Sequence, residues 1–250
     1  MPHDVAVHGT KAYRYLPAID PYSSGVAAEP GYEILGLRFH EPPPVASGFQ
    51  RLDTELEARG LPASALVGVE LRSPEPFSFD GFDAFNDVYR HLLAERGLLQ
   101  DGVNPLARTN VVPLYAPPPE PVLLTAFVIR EAAERSGTDF VIAGSGEVEG
   151  GLDPASIVAR GDLSPGGLAR KVASVLSEMR ARLAALDHSP DEPTTTNVYT
   201  AHEISGLTES LVRAMPGVGR WGYTSWATRP PLIDVEFEMD CRSISRWESL

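Results

Sequence analysis

One order of predicted elements (strand, helix, strand, helix, strand, strand) occurs twice along the 250 residues and limits the folds open to this chain. Apolar, β-branched runs indicate the strands, and apolar residues at helical spacing indicate the helices. The first set comprises residues 32–40, 45–59, 65–71, 82–96, 103–114 and 122–129. The second comprises residues 140–148, 168–186, 194–200, 201–215, 220–227 and 231–239. The halves share little sequence identity, so the repeat is inferred from element order and spacing.

This order predicts the fold class. A unit of this kind forms a mixed β-sheet with two helices packed on one face, an α+β layer pair. We therefore predict two tandem modules, residues 1–134 and 135–250. Each sheet leaves its other face to be buried, either against the second module or against a neighbouring chain.

The charge balance limits the partners. The net charge is −13, which argues against a nucleic-acid partner, because such binding rests on clustered Lys and Arg. It argues equally against docking on an anionic membrane surface. It does not exclude a small anionic substrate, since one buried arginine sets its own local potential.

Cysteine and histidine usage bears on metal sites and location. Cys241 is the single cysteine, which excludes an intrachain disulfide and a zinc site built mainly from thiolates. The six histidines show no paired ligand spacing, so we predict no metal site. The N-terminus lacks the pattern of a signal peptide, and no apolar run approaches the roughly 18 residues of a membrane helix. We expect a cytoplasmic protein.

Several residues could carry chemistry, and each also has a structural interpretation. Arg108 lies between apolar residues in the stretch 103–114. Its guanidinium is either a surface charge at the end of a strand or a group that binds a carboxylate through two hydrogen bonds. Ser145 between two glycines could mark a bulge or a close backbone approach. Asp234 and Glu236 share one face of the predicted strand 231–239, which is either a site wall or a solvent face.

Three segments follow one another along the chain: AIDPYSSGV at residues 18–26, PLARTN at residues 105–110 and FVIAGSGE at residues 140–147. Together, and in this order, they resemble motifs of the Rid/YjgF superfamily of imine/enamine deaminases. The two-module layout is also similar to proteins described as aminomuconate or chloro-aminomuconate deaminases. The resemblance implies RidA-like modules, in the chorismate mutase-like class of folds, and a homotrimer of six modules with clefts between neighbours.

The resemblance also implies a set of site residues. Arg108 matches the arginine that grips the substrate carboxylate, and Asp234, with Glu236, matches the acidic position on the last strand. We predict these three residues as catalytic. The predicted substrate-binding residues are Tyr22, Asn110, Ser145, Gly146, Arg220 and Trp221. Tyr22 and Trp221 could instead have packing roles.

Each module departs from the family pattern. The first has residues 123–125 where the acid should be, and the second has GVGR at residues 217–220 in place of Pro-Ala-Arg. The two incomplete sets are complementary. We therefore predict a composite cleft in which Arg108 faces Ser145, Asp234 and Glu236.

The implied chemistry is hydrolytic deamination of a small carboxylated enamine or imine, aminomuconate-like or derived from an amino acid. Arginine would orient the carboxylate, a carboxylate would activate water, and no cofactor is required. Two alternatives stay open. One is a chorismatase-like or secondary-metabolite tailoring enzyme acting on an unsaturated acid. The other is a non-catalytic module that binds a small ligand. A ribonuclease, as described for some relatives, is disfavoured by the net charge.

Overall fold

The computed structural model describes residues 4–18, 22–132, 138–244 and 246–250, and within these it contains twelve strands and five α-helices. The strands are Ala6–Val7 (β1), Tyr13–Tyr15 (β2), Gly25–Ala28 (β3), Tyr32–Arg38 (β4), Leu66–Arg72 (β5), Ala107–Pro113 (β6), Val122–Glu131 (β7), Phe140–Gly146 (β8), Thr195–Thr200 (β9), Thr224–Arg229 (β10), Phe237–Ser243 (β11) and Arg246–Ser249 (β12). The helices are Val45–Ala58 (α1), Phe79–Ala94 (α2), Pro165–Ala185 (α3), Thr208–Ala214 (α4) and Pro216–Trp221 (α5).

The strands form one mixed sheet in the order β1-β2-β3-β8-β11-β9-β10-β6-β5-β7-β4-β12. The run β4-β7-β5-β6 and the run β8-β11-β9-β10 each place their strands in the order first, fourth, second, third. In each run the second and third strands are parallel, and parallel neighbours require a crossover connection. Helix α2 makes that crossover in the first run, and α4 with α5 makes it in the second.

The two runs meet where β10 pairs antiparallel with β6, through Thr228 opposite Pro113 and Arg229 opposite Val112. The ends of the chain are exchanged between the runs, because β3 pairs with β8 and β12 pairs with β4. The predicted mixed sheet is confirmed, but the strands of both halves join one continuous sheet. The proposed module boundary at residues 134–135 lies outside the described residues.

Helix positions follow from apolar spacing and from capping side chains. Phe49, Leu52 and Leu56 of α1 are all buried, as their spacing predicts. Helix α2 begins earlier than predicted because the Ser78 hydroxyl accepts a hydrogen bond from the Gly81 N–H. Ser164 caps α3 in the same way. One large apolar core lies between α1, α2 and the first run, and a second lies between α3 and the second run. Within the described residues, no helix is long and apolar enough to cross a membrane.

Two predicted elements of the second half are wrong in their bounds. The helix predicted over residues 201–215 contains only α4 and a short 3-10 turn, Ser205–Leu207. The strand predicted over residues 220–227 begins at Thr224, because Arg220 and Trp221 belong to α5. Pro216 starts that extra helix, and Gly222, with a φ of 78°, ends it.

The strand predicted over residues 231–239 is also wrong, because β11 begins only at Phe237. The preceding segment instead pairs with Phe77, whose N–H donates to the Pro231 carbonyl at 2.7 Å and whose carbonyl accepts from the Ile233 N–H at 2.9 Å. Asp234 then takes a φ of 71°, which a continuous strand does not allow. Asp234 and Glu236 therefore lie in a loop and not on the last strand.

Candidate functional site

Arg108 on β6 is a buried cation among aromatic rings. Its side chain is almost fully enclosed, with 3% of the residue exposed. Its guanidinium carbon lies 4.7 to 5.5 Å from the centres of four rings, those of Tyr22, Phe82, Phe85 and Tyr89. Such contacts stabilise a desolvated guanidinium in part. Burial nevertheless lowers the pKa of Arg108, because the charged guanidinium has lost its contact with water. An anion beside the guanidinium would stabilise this charged form.

Only part of the guanidinium is used by the protein. Nη2 of Arg108 donates a hydrogen bond to Asn86 Oδ1 at 2.8 Å. Nη1 has no hydrogen-bond partner within the residues that the structure describes. A buried donor left unpaired costs free energy, so the arrangement favours a ligand that supplies an acceptor.

Arg108 lines a cavity of about 670 Å³ between the two runs of strands. The other polar residues of its wall include Tyr22, Asn110, Ser145, Glu178, Arg182 and Glu238. Part of the wall is apolar, formed by Phe82, Val148, Leu152, Leu232 and Val235. A cavity of this size, with one apolar wall and a few polar groups, is typical of a small-molecule site.

Two glycines of β8 let the opposite wall come close. A Cβ at Gly144 would overlap the carboxylate of Glu238, and one at Gly146 would lie 2.7 Å from Val235 Cγ1. Arg182 on α3 holds the same strand, since its Nη1 donates to the Ala143 carbonyl at 3.1 Å and its Nη2 to Ser145 Oγ at 3.2 Å. Hydrogen bonds from α3 therefore hold the backbone of β8 in place.

Glu238 on β11 is the buried carboxyl group of the cavity, with 5% of the residue exposed. Burial raises the pKa of Glu238 well above its ordinary value, and the nearby carboxylates of Asp240 and Glu147 raise it further. The positive charges of Arg182 and Arg72 oppose this only in part. The environment favours the protonated form, which is a proton donor.

A hydrogen-bonded chain ties β6 to β8 beside the cavity. The Gly144 N–H donates to Thr109 Oγ1 at 3.0 Å, and the Thr109 hydroxyl donates to Asp240 Oδ2 at 2.9 Å. Asp240 also accepts from the Tyr199 hydroxyl and from Asn197 Nδ2, each at 2.8 Å. These contacts set the spacing between Arg108 on one strand and the glycines on the other.

A buried ion pair positions the start of β11. Glu147 and Lys171 have fully buried side chains, 3.1 Å apart between Oε1 and Nζ. The Glu147 carboxylate also accepts hydrogen bonds from the backbone N–H groups of Glu236 and Phe237, at 2.6 and 2.9 Å. Glu238 is the next residue, so these hydrogen bonds hold the backbone that places its side chain in the cavity.

The structure brings five of the sequence-predicted residues to this cavity: Tyr22, Arg108, Asn110, Ser145 and Gly146. It places four elsewhere. Asp234 forms an ion pair with Arg160 at 2.7 Å, and Glu236 contacts His202 at 2.7 Å. Arg220 and Trp221 are exposed on α5. Residues 19–21 of the first motif lie outside the described residues.

Sequence reasoning missed Glu238, Glu178 and Arg182. Alternating polar residues in the segment FEMDC place Glu238 and Asp240 on one face of a strand. The predicted strand 231–239 puts Asp234 and Glu236 on that same face, so the pattern alone does not single out Glu238. Among the described residues, no group of three His, Cys, Asp or Glu side chains is arranged to hold a metal ion.

Comparisons with known proteins give the family. Residues 5–248 match the family model described as 2-aminomuconate deaminase CnbZ. The chain is 41% identical over 249 residues to the 2-amino-5-chloromuconate deaminase of Comamonas testosteroni, covering 97% of this chain and 98% of that protein.

Solved structures with lower similarity include a chorismatase and the YjgF gene product of E. coli. The chorismatase is 11% identical, with a TM-score of 0.49 over 96% of this chain and 79% of its own. The YjgF gene product is 14% identical, with a TM-score of 0.28 over 46% of this chain and 91% of its own. The resemblance to aminomuconate deaminases is confirmed by the full-length match: this chain is an enzyme of the 2-aminomuconate deaminase family.

Proposed function

We propose that this protein hydrolyses the C–N bond of a 2-aminomuconate-like enamine, releasing ammonia and leaving an oxo acid. The observation that carries the proposal is one cavity that contains a buried arginine with an unpaired donor and a buried carboxyl group, Glu238, whose pKa burial raises. Arg108 would bind a substrate carboxylate, and Glu238 would supply and recover protons. The apolar wall suits the conjugated carbon chain.

The Glu238 carboxyl group protonates the enamine carbon, which converts the enamine to an iminium ion. Water adds to the iminium carbon and gives its proton to the Glu238 carboxylate, forming a neutral carbinolamine. Glu238 then protonates the amine, the C–N bond breaks with loss of ammonia, and the hydroxyl proton returns to the carboxylate as the carbonyl forms. General acid–base help of this kind is typically worth about 10²- to 10⁴-fold.

Ammonia release from freshly prepared 2-aminomuconate tests the proposal. We expect the unaltered protein to accelerate release over buffer and Arg108→Ala to abolish most of the acceleration. Arg220→Ala is the matched control, because Arg220 is exposed and lies outside the cavity. Binding without ammonia release would favour the non-catalytic alternative, and turnover by Arg108→Ala at the normal rate would contradict the proposal.

We also infer a tandem origin and a trimer. The matching strand orders of the two runs support modules at residues 1–134 and 135–250. Large exposed side chains, among them Trp221, Trp226 and Tyr115, support burial against other copies of the chain in a homotrimer. Light scattering tests this, and a stable monomer would contradict it. All of the residues that the structure places along the cavity with Arg108 and Glu238 belong to one chain.

A further inference from the structure

Asn110 shares the cavity face of β6 with Arg108. The two residues are two apart on one strand, so their side chains point to the same side. Both line the cavity, and Asn110 is buried, with 4% exposed. The catalytic steps proposed above leave Asn110 without a role.

The side-chain amide of Asn110 has a hydrogen bond at its oxygen and none, within the described residues, at its nitrogen. Its Oδ1 accepts a hydrogen bond from the Ser73 hydroxyl at 3.0 Å. Its Nδ2 has no hydrogen-bond partner in the described part of the chain. Arg108 shows the same pattern, with Nη2 bound to Asn86 and Nη1 unpaired. Each side chain is thus fixed by one contact and keeps one buried donor for a ligand.

We propose that Asn110 determines specificity, donating from Nδ2 to one oxygen of the carboxylate whose other oxygen is bound by Arg108 Nη1. This rests on the proposed function, in which Arg108 anchors a substrate carboxylate. A planar group with two acceptor oxygens satisfies both donors. A carboxamide presents one oxygen and an NH₂ group, so it leaves one buried donor unpaired and is rejected. Ser73 is a positioning residue, since it fixes which end of the amide faces the cavity.

Calorimetric titration with cis,cis-muconate tests the clamp separately from turnover, because muconate has both carboxylates but no amino group. Asn110→Ala removes one hydrogen bond to a charged group, and we expect binding to weaken about 10-fold or more. Asn110→Asp is isosteric but adds a negative charge and removes the donor, so we expect a larger loss. Ser73→Ala should weaken binding less than either.

A kinetic readout separates recognition from a general structural role. We expect Ser73→Ala to raise KM for 2-aminomuconate with kcat nearly unchanged, the pattern of lost uniform binding. Melting temperatures of all variants are measured in parallel. If Asn110→Ala does not fold, the muconate affinities of Asn110→Asp and Ser73→Ala test whether Asn110 binds the carboxylate.

Unchanged muconate affinity in the Asn110 variants, beside lost affinity in Arg108→Ala, would overturn the clamp and leave the deaminase proposal intact. So would an unchanged KM in Ser73→Ala. Muconate binding that depends on Asn110, in a protein that releases no ammonia, would support the clamp and contradict the deaminase proposal.

Discussion

Thr109 Oγ1 accepts a hydrogen bond from the Gly144 N–H at 3.0 Å, which ties the strand that carries Arg108 to the glycine strand on the other side of the cavity. The same hydroxyl donates to Asp240. The cavity walls are therefore joined by hydrogen bonds as well as by apolar packing.

Replacing Thr109 with valine keeps the shape and removes both hydrogen bonds. Gly144 loses its acceptor and Asp240 loses one of its donors, so we expect unfolding free energy to fall by about 1 to 3 kcal/mol. We also expect kcat to fall, because the two walls lose their link. Urea denaturation and ammonia release measure the two effects. Thr109→Ser, which keeps the hydroxyl, should behave nearly as the unaltered protein, and equal losses in both variants would contradict the account.

Replacing Lys171 with methionine leaves the Glu147 carboxylate buried without its cation. Breaking a buried pair in this way typically costs about 3 to 5 kcal/mol. Adding Glu147→Gln should recover part of the loss, because it removes the unpaired buried charge and its amide oxygen can still accept from one of the two backbone N–H groups, of residue 236 or residue 237. Denaturant titrations measure both variants. Arg213→Ala, which removes an exposed ion pair with Glu209, is the control and should have little effect. A similarly small effect of Lys171→Met would show that the pair does not hold this wall.

Glu238 predicts a specific pH dependence. Its pKa is raised in the folded protein by burial first and by neighbouring carboxylates second. The folded state therefore holds this proton at pH values where the unfolded chain has lost it. The favourable contribution is complete below the ordinary glutamate pKa of about 4.3 and is lost as the pH rises toward the raised value.

Glu238→Gln should remove that part of the pH dependence. We would measure the unfolding free energy of the unaltered protein and of Glu238→Gln from acidic to neutral pH. The value for the unaltered protein minus the value for Glu238→Gln should decrease as the pH rises. Asp240, whose pKa is also raised, is present in both proteins, so the comparison removes the titration of Glu238 alone. A difference that is constant with pH would contradict the raised pKa.

Gly144→Ala should place a methyl group against the Glu238 carboxylate. We expect a large loss of kcat, since the acid must move, together with reduced stability. Gly206→Ala is the matched control, because a Cβ there meets no atom within 4 Å and its φ does not favour glycine. Ammonia release and thermal melting compare the two, and equal activity would mean that Glu238 does not lie over Gly144.

The sequence predicted those parts of the fold that depend on local pattern. The apolar spacing in α1 and the continuous apolar run of β7 were sufficient to place both elements. The position of Arg108 inside an apolar strand was also visible, and the cavity contains it. The exchange of β3 and β12 between the two halves was not visible, because strand partners distant along the chain leave no local periodicity.

The acid was misplaced for a physical reason. Asp234 and Glu236 fit an alternating strand pattern as well as Glu238 and Asp240 do. Two contacts determine where β11 begins. Phe77 pairs with the loop before β11, and Glu147 accepts hydrogen bonds from the N–H groups of Glu236 and Phe237. Both contacts come from residues far along the chain, so no local sequence signal could fix the start of β11.

The most direct test compares kcat for ammonia release from 2-aminomuconate in Glu238→Gln and Asp234→Asn. Each variant replaces one carboxylate with its isosteric amide, and only Glu238 lies in the cavity with Arg108. We expect a loss of about 100-fold or more for Glu238→Gln and near-normal turnover for Asp234→Asn. The reverse result, with turnover lost in Asp234→Asn and kept in Glu238→Gln, would contradict the proposed role of Glu238.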